Sequence, residues 1–335
     1  PCMGYNSSTG AFPHISQGDT MTAHGETTGS QGDPRASQGD ALPNKAARES
    51  SKGRAASSGP CNTRSISLTS FALVVPLMLA ACAPAPSPPK PPTLQVDGSS
   101  WAASCKDFDE WDKPGPAFRV YGDTYYVGTC GITALLIVGS KGHTLIDGGT
   151  DKGADVVLAN ISALGFDPRD VTTLLMSHEH FDHIGGMAKL QAATGATIVT
   201  TPAAAEVLRS GHPGPDDPQA ASGHPPFPPV QGKIITFDRA TRQSFGGREF
   251  EPILTPGHTP GALSWRWQEC DAGTCKSIVY VDSLNPISAD GYRFTDHPDL
   301  IAKFREGIAK VAAADCDIVL APHPGAVALR ERLLG

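Results

Sequence analysis

The sequence predicts an α/β domain in which two β-sheets pack together and helices cover them from outside. Short apolar runs alternate with segments of helical periodicity throughout residues 101–335. The middle of this segment, residues 234–281, is rich in strand-like runs. Gly, Pro and Asp residues separate many of the runs, as expected for the connections of a compact domain.

The first half of the domain alternates between strands and helices. Apolar runs predict strands at residues 125–127, 133–138, 144–146, 171–176 and 196–200. Apolar residues at helical spacing predict helices at residues 154–164, 186–194 and 203–210. Residues 211–230 are rich in Pro and Gly and lack periodicity, which predicts a functional or mobile loop.

The second half adds a run of strands and one long helix. Strands are predicted at residues 234–237, 243–245, 250–254, 262–267, 277–281 and 317–320. Residues 297–314 have the length and spacing of a helix.

The N-terminal third is predicted to lie outside the folded domain. Residues 1–60 are rich in Ser, Gly, Gln and Asp and cannot bury enough apolar surface to fold. We expect them to be disordered or to precede the natural start of translation. Residues 61–81 are predicted to be a signal peptide, because Arg64 precedes an apolar run at residues 66–81. This run is shorter than the about 20 residues that a membrane-spanning helix needs.

The apolar run ends in Leu-Ala-Ala-Cys at residues 79–82, which resembles a bacterial lipobox, where the cysteine is acylated and becomes the mature N-terminus. The Pro-rich sequence that follows predicts an extended tether over residues 82–100, before a folded domain at 101–335. We therefore expect a periplasmic protein attached to the outer membrane through acylated Cys82. The alternative is a signal peptide that is cleaved to leave a soluble periplasmic protein.

Charge and cysteine content argue against a nucleic-acid-binding protein, a cytosolic enzyme and a structural zinc finger. The net charge is −7 and charges of both signs are interspersed, so we expect no nucleic-acid partner. The eight cysteines are more than a cytosolic enzyme of this size is expected to have. None of them forms a Cys-x-x-Cys pair, which argues against a structural zinc finger.

Potential metal ligands are concentrated in residues 177–183, Ser-His-Glu-His-Phe-Asp-His, at the end of a predicted buried strand. Imidazole nitrogens and carboxylate oxygens are ligands that zinc takes at about 2.0–2.2 Å. The segment offers four such side chains: His178, His180, Asp182 and His183. They cannot share one helix face, but on a tight loop they can point inward together. A structural role does not explain this density, so we predict a metal site.

Two further histidines are positioned to complete the coordination. His258 lies in a Gly/Pro turn between two predicted strands, and His323 follows another strand. Sites borne on loops gather at the carboxyl ends of strands in layered α/β folds. The remaining histidines lack this context and are predicted not to be ligands: His14, His24, His143, His212, His224 and His297. Of these, His212 and His224 flank the long loop and could at most contact substrate.

The motif His-x-His-x-Asp-His, followed by two separate histidines, resembles the signature of the metallo-β-lactamase superfamily. The resemblance runs from about residue 105 to residue 329, and the third subclass of true metallo-β-lactamases is the most similar group. It implies a four-layer αβ/βα sandwich for the catalytic domain. It also implies that Asp147 is a buried support for the metal site rather than a ligand.

The resemblance further implies two Zn²⁺ ions per chain. The first would be held by three histidines: His178, His180 and His258. The second would be held by one aspartate and two histidines: Asp182, His183 and His323. Glu179 and Phe181 would be spacers. Each zinc then keeps an open position, as catalysis requires.

The activity that the resemblance implies is hydrolysis of the β-lactam amide bond of penicillins, cephalosporins and carbapenems by a zinc-bridging hydroxide, which confers antibiotic resistance. Asp182 would be the catalytic residue that orients this hydroxide. Ser283 would meet the substrate carboxylate, and Gln219 would offer a polar contact from the loop over the site. We expect a monomer that acts on a small-molecule substrate.

The alternative is another hydrolase of the same superfamily, such as a lactonase or a glyoxalase-type thioester hydrolase. Many of these use an aspartate to bridge both metals, in the strand that here ends at Asp282 and Ser283. Adjacent strand residues point to opposite faces, so the two cannot line the site equally. A bridging Asp282 would favour the alternative, and a site-facing Ser283 would favour a β-lactamase.

The resemblance also implies two disulfides, Cys105–Cys130 and Cys270–Cys275, which an oxidising periplasm allows. Cys316 resembles half of a third disulfide, whose usual partner lies in a C-terminal segment that this chain lacks. We therefore expect Cys316 to be a free buried thiol, or the chain to be truncated.

Overall fold

Two β-sheets stack face to face in the structure, a computed structural model that describes residues 96–335. The predicted segments 1–60 and 61–81 and most of the predicted tether lie outside the described residues. The first described helix, α1 (Ser99–Ser104), begins at the end of the predicted tether. Within the described part of the chain, no helix is both long enough and apolar enough to cross a membrane.

Seven strands form the first sheet, and their spatial order follows the chain: β1 (Phe118–Tyr121), β2 (Thr124–Tyr126), β3 (Leu135–Ile137), β4 (His143–Ile146), β5 (Val171–Leu175), β6 (Thr197–Thr200) and β7 (Ile234–Thr236). Neighbours from β1 to β4 are antiparallel, whereas those from β4 to β7 are parallel. The parallel half brings the carboxyl ends of its strands to one edge, where loop-borne sites form.

Five strands form the second sheet: β8 (Gln243–Phe245), β9 (Arg248–Leu254), β10 (Leu263–Asp271), β11 (Thr274–Tyr280) and β12 (Ile318–Leu320). Their spatial order is β12-β11-β10-β9-β8, and all neighbours are antiparallel except β11 and β12. This parallel pair aligns Tyr280 with Leu320. The segments that follow the two strands therefore emerge side by side.

The remaining helices lie outside the sheets or in the loops that connect them: α2 (Gly153–Ala163), α3 (Phe181–Ile184), α4 (Met187–Thr194), α5 (Pro202–Ser210), α6 (Pro298–Ala313) and α7 (Leu329–Leu334). Short 3₁₀ turns occur at Pro168–Asp170, Phe294–Asp296 and Pro324–Val327.

Three apolar clusters define the layers. One packs Met187 of α4, together with residues of α2 and α5, against the first sheet. Another lies between the two sheets and includes the fully buried Trp265. The third packs Val311 of α6 against Val279 of the second sheet. The order helix, sheet, sheet, helix confirms the predicted four-layer sandwich.

The predicted strands and long helices are all present, and the elements missed by sequence analysis are short. They are β1 and the helices α1, α3 and α7. Only Phe118 of β1 is fully buried, so this strand lacks a clear apolar alternation. The three missed helices have at most six residues, too few to show a helical period.

Disulfide bonding agrees with one expectation and overturns another. Cys105–Cys130 and Cys270–Cys275 are both formed, as predicted. Cys316 is also disulfide-bonded. The expectation of a free thiol at Cys316 is therefore wrong, because it considered only a C-terminal partner.

Loss of the Cys105–Cys130 bridge is expected to destabilise the fold more than loss of the Cys270–Cys275 bridge. The paired residues are 25 and 5 positions apart, respectively. Loop-closure entropy then gives contributions of about 3.5 and about 2 kcal/mol to the free energy of unfolding. Urea unfolding of the two double Cys→Ser variants measures both losses. A larger loss for the hairpin bridge would contradict this expectation.

Candidate metal centre

Loops from both sheets converge at one end of the sandwich. The loop after β5 carries residues 177–183, the turn between β9 and β10 carries His258, and the loop after β12 carries His323. The Ser177 carbonyl accepts a hydrogen bond of 2.6 Å from the N–H of Leu263 in β10. This bond fixes the histidine-rich segment of the first sheet against the second sheet.

Three of the predicted ligands form a compact group of histidines. The ring centroids of His178, His180 and His258 are 4.8–5.0 Å apart. One ring nitrogen of each lies within 4.8 Å of the other two. All three side chains are buried. Three ligands of one metal ion can adopt this arrangement.

In each of these histidines the other ring nitrogen contacts an oxygen. Nδ1 of His178 lies 3.2 Å from the Ser177 hydroxyl and 3.0 Å from Asp282 Oδ1, Nε2 of His180 lies 3.1 Å from Asp217 Oδ2, and Nδ1 of His258 lies 3.0 Å from the Asn285 carbonyl. Contacts of this kind fix the tautomer and orientation of a metal-binding imidazole. The opposite nitrogen of each ring is left with its lone pair for a metal.

The other three predicted ligands form a second group beside the first. Oδ2 of Asp182 lies 3.0 Å from Nε2 of His183 and 3.4 Å from Nε2 of His323, and these two nitrogens are 3.3 Å apart. Ligand atoms about 2.0–2.2 Å from a tetrahedral zinc are about 3.3–3.6 Å apart, so the triangle fits one ion. Ligand atoms of His178, Asp182 and His183 also lie within 4.8 Å of one another, so the two groups adjoin.

Burial keeps several of these imidazoles neutral. Burial and the neighbouring histidines hold the pKa of His178 well below its usual value. Burial, followed by the neighbouring His180, lowers the pKa of His258 to about 3. Burial and the nearby His183 lower the pKa of His323 to about 4. At neutral pH these rings therefore carry free lone pairs, which metal binding requires.

Asp182 and His183 form a charged pair in the second group. Burial disfavours the ionised carboxylate, but His183 outweighs it and holds the pKa of Asp182 below its usual range. Burial likewise disfavours protonation of His183, but Asp182 outweighs it and raises the pKa of that imidazole. A cation bound between them would take the place of the shared proton. The donor set of the two groups therefore fits a metal ion.

Comparison with known proteins agrees with this geometry. The sequence profile of the metallo-β-lactamase superfamily matches residues 127–272. The solved MIM-2 metallo-β-lactamase is 51% identical, with a TM-score of 0.68, over 71% of this chain and 88% of that one. The chain belongs to the metallo-β-lactamase superfamily.

Further solved members of the superfamily are similar along most of their length. The metallo-β-lactamase MIM-1 from Novosphingobium pentaromativorans is 47% identical with a TM-score of 0.67, over 71% of this chain and 88% of that one. MEM-A1, a subclass B3 metallo-β-lactamase isolated from a soil metagenome library, is 40% identical with a TM-score of 0.65, over 67% of this chain and 86% of that one. The predicted family, and a hydrolase of this fold, are confirmed.

The curated relatives are less similar in sequence, and each match covers a smaller part of this chain. Hydroxyacylglutathione hydrolase of Rhodospirillum rubrum is 28% identical over 127 residues, which are 38% of this chain and 40% of that enzyme. N-acyl homoserine lactonase AttM of Azorhizobium caulinodans is 33% identical over 85 residues, which are 18% of this chain and 31% of that enzyme. The chain thus spans less than half the length of these curated relatives.

The histidine-rich segment of this metallo-β-lactamase-family chain is not entirely a loop. Asp182 and His183 lie in α3 (Phe181–Ile184), a single helical turn. The N–H of Gly148 donates to the His183 carbonyl at 2.9 Å. A Cβ atom at Gly186 would lie 2.6 Å from the Gly148 carbonyl oxygen, so glycine permits this close approach. The backbone contact holds the turn that carries both side chains.

Asp147 supports the same segment from the first sheet. Its carboxylate accepts hydrogen bonds of 2.7 Å from the N–H of Ser177, the hydroxyl of Ser177 and the hydroxyl of Tyr280. It also lies 3.7 Å from Nδ1 of His183. Its backbone has a φ of 60°, which is uncommon for a residue other than glycine. Asp147 therefore links β4, the histidine-rich segment and the second sheet.

Glu179 is not a spacer. Its buried carboxylate accepts hydrogen bonds from the hydroxyl of Thr259 at 2.5 Å and the N–H of Gly261 at 2.6 Å. Both partners lie in the turn that carries His258, so Glu179 holds this turn against the segment that carries His178. The expectation of a spacer is wrong because the partners are 80 and 82 positions away along the chain.

Replacing Glu179 with Ala is expected to lower the free energy of unfolding of the metal-free protein by about 2–4 kcal/mol, because two hydrogen bonds are lost and the buried N–H of Gly261 is left without its acceptor. Thr259→Val removes one of them and is expected to cost about half as much. Urea unfolding measures both, with Glu206→Ala on the exposed face of α5 as the control. Equal stability of Glu179→Ala and Glu206→Ala would refute the anchoring role.

Asp282 lies outside both ligand groups. Its carboxylate is buried, contacts Nδ1 of His178, and belongs to neither set of three ligand atoms found within residues 96–335. Burial raises the pKa of Asp282 well above its usual value. Ser283, the next residue, is partly exposed.

The long loop lies over the three-histidine group. Gln219 is largely buried there, and its N–H donates to Oδ1 of Asp217 at 2.7 Å. Its Oε1 is 3.5 Å from Nε2 of His224, whose ring centroid is 6.1 Å from that of His180. The backbone of Phe227 pairs with Gly211, and its side chain packs into the core beneath the loop.

Sequence analysis missed two residues beside the site. Asp217 is 3% exposed and contacts His180. Trp111 is 39% exposed, and its ring centroid is 5.5 Å from that of Phe181 and 6.0 Å from that of His323. Both lie in segments without periodicity. The one sequence signal was for Trp111, a large aromatic side chain in the polar stretch before the first strand.

Proposed function

We propose that this chain is a zinc-dependent β-lactamase that hydrolyses the amide bond of penicillins, cephalosporins and carbapenems, confers antibiotic resistance and acts as a monomer. The observation that carries the proposal is the pair of adjoining ligand groups, in a chain that is 51% identical to the MIM-2 metallo-β-lactamase over 88% of that protein.

Two Zn²⁺ ions account for the two groups. We assign the first ion to three histidines: His178, His180 and His258. We assign the second to the triangle of Asp182, His183 and His323. His178 adjoins both groups, but Nδ1 of this ring contacts Asp282, which leaves one nitrogen for one ion. His323 therefore completes the second set.

Zinc in this site supplies Lewis-acid polarisation of the β-lactam carbonyl and a nucleophilic water whose pKa falls to about 7. Asp182 contacts His183 and His323 through Oδ2. We assign its Oδ1 to accept the hydrogen bond that orients the attacking water. The side chain is 5% exposed, and a low dielectric strengthens such electrostatic contacts.

Two side chains are assigned to the substrate. The partly exposed hydroxyl of Ser283 would bind the substrate carboxylate, since the segment that follows β11 emerges beside the one that carries His323. Gln219 would offer a polar contact from the loop over the three histidines.

The position of Asp282 favours a β-lactamase over the related hydrolases. An aspartate that bridges two metals belongs to both ligand sets, whereas Asp282 belongs to neither and contacts the outer nitrogen of His178. The second candidate is a thioester hydrolase or lactonase. It is favoured by the curated relatives with those activities, which match 38% and 18% of this chain.

We further propose that the protein is periplasmic and anchored to the outer membrane through acylated Cys82. The apolar run that ends in Leu-Ala-Ala-Cys supports this location, and two disulfides suit an oxidising compartment. Mass spectrometry of the membrane fraction is expected to find a mature chain that starts at lipid-modified Cys82. An unmodified Cys82, or another mature start, would refute the anchor.

Expression of the full chain in a susceptible Gram-negative bacterium tests the activity in its proposed compartment. We expect higher inhibitory concentrations of a penicillin, a cephalosporin and a carbapenem, and no increase with His258→Ala at equal protein level. Unchanged susceptibility with the full chain detected in the periplasm would refute the proposal.

A further inference from the structure

We propose that Asp217 is a positioning residue that couples metal binding at His180 to the placement of Gln219 over the site. The inference rests on the proposed function and adds a carboxylate that is neither a ligand nor a substrate contact. Asp217 lies in the loop of residues 211–230, 37 positions along the chain from His180.

The carboxylate of Asp217 has two different partners. Both oxygens face Nε2 of His180, Oδ2 at 3.1 Å and Oδ1 at 3.4 Å, and Oδ1 also accepts a hydrogen bond of 2.7 Å from the N–H of Gln219. The side chain is 1% exposed. Among residues 96–335, His180 is the one basic side chain within 4.0 Å of this carboxylate. The buried negative charge therefore depends on His180 and on whatever cation His180 binds.

The contact between Asp217 and His180 selects one tautomer of the His180 imidazole, the tautomer that can bind a metal. A neutral His180 carries a single ring proton, and the carboxylate at Nε2 holds the proton there. The lone pair on Nδ1 then faces His178 and His258, whose ring centroids are 5.0 and 4.8 Å away. Partners of this kind typically change metal affinity about 10- to 100-fold.

Asp217 also fixes the loop that carries Gln219, the residue assigned to contact the substrate. The N–H of Asp217 donates to the Gly214 carbonyl at 3.1 Å, and its own carbonyl accepts from Ala220 at 3.0 Å. The carbonyl of Pro218, next along the chain, accepts a hydrogen bond of 2.9 Å from Ala289, in the segment after Ser283. A metal that orders His180 therefore also orders the turn that carries Gln219.

Zinc titration tests the contact to His180 independently of catalysis. The metal-free full chain and its variants are titrated with Zn²⁺ in competition with a chromophoric chelator. Asp217→Ala is expected to weaken one of two zinc-binding steps about 10- to 100-fold. The neighbouring exposed Asp216→Asn should stay within threefold of the parent chain. Gln219→Ala should also bind zinc within threefold, because it retains the carboxylate of Asp217.

Kinetics at saturating zinc test the contact to Gln219. Asp217→Ala is expected to raise KM for nitrocefin at least fivefold with a smaller change in kcat, because the N–H of Gln219 loses its acceptor. Asp217→Asn fills the same space, and its amide oxygen in the place of Oδ1 can still accept from Gln219. It loses the negative charge and the Oδ2 acceptor that faces His180, so zinc affinity should fall while KM stays within threefold of the parent value.

Three outcomes would overturn the coupling. One is an Asp217→Ala variant with normal zinc affinity, and another is an Asp217→Ala variant with weak zinc binding but an unchanged KM. The third is a loss of zinc affinity matched by a lower urea midpoint of metal-free Asp217→Asn, which would show a purely structural role. If the parent chain fails to hydrolyse nitrocefin while Asp217→Ala still weakens zinc binding, the proposed function fails and the role toward His180 stands.

Discussion

Removal of metal with EDTA is expected to reduce hydrolysis of nitrocefin to the uncatalysed rate, and added Zn²⁺ is expected to restore it. Burial keeps the imidazoles of His178, His258 and His323 neutral and His183 keeps the carboxylate of Asp182 ionised, and these are donors that divalent zinc prefers. Without the metal, the pKa of water stays far above neutral pH and no strong nucleophile forms. Absorbance assays before and after dialysis, with metal analysis of each sample, measure the effect.

Magnesium is the matched control for this experiment. It favours octahedral oxygen ligands and retains its waters, so it should not restore activity in a site of five histidines and one aspartate. Zinc should also raise the melting temperature of the metal-free chain, because binding to the native state stabilises it by mass action. Full activity in protein shown to contain no metal would contradict the proposed chemistry.

Asp182→Asn is expected to lower kcat for nitrocefin on the order of 10²–10³-fold while the fold is retained. The amide keeps the shape of the side chain but loses the negative charge that faces His183 and His323. It also becomes a weaker acceptor for the attacking water. Stopped-flow kinetics at saturating zinc, with circular dichroism to verify folding, measure the loss.

Asp216→Asn is the control for Asp182→Asn, because Asp216 is an exposed aspartate in the loop over the site. It should retain the parent kcat within twofold. A near-normal kcat for Asp182→Asn, with zinc bound at the parent stoichiometry, would refute the role assigned to Asp182.

The candidate ligands could be found from the sequence because their signals are local. Four of them lie within residues 178–183, and His258 and His323 each follow a strand in a turn rich in Gly and Pro. Position at the carboxyl end of a strand is readable from apolar runs alone. The structure brings all six together, as the motif suggested.

The supporting roles of Asp217 and Glu179 could not be predicted from local sequence patterns. Asp217 contacts His180 from a loop without periodicity, and Glu179 reaches partners 80 and 82 positions away. Such contacts depend on how the two sheets stack, which no short pattern encodes. Cys316 was wrongly expected to be a free thiol for the same reason, since a disulfide joins residues that are close in space.

The fold was predictable where elements are long. Strand β5 is a buried apolar run and helix α6 has helical spacing, and their limits agree closely with the predicted segments 171–176 and 297–314. The turn α3 was missed because its four residues are too few to show a helical period.

The most direct test of the proposed β-lactamase is one substrate panel assayed with the purified full chain at saturating zinc. The panel contains a penicillin, a carbapenem, lactoylglutathione and an acyl-homoserine lactone. We predict kcat/KM values for the two β-lactams at least 10³-fold above those for the thioester and the lactone. Preferential hydrolysis of lactoylglutathione or of the lactone would contradict the account and assign the two ligand groups to the alternative chemistry.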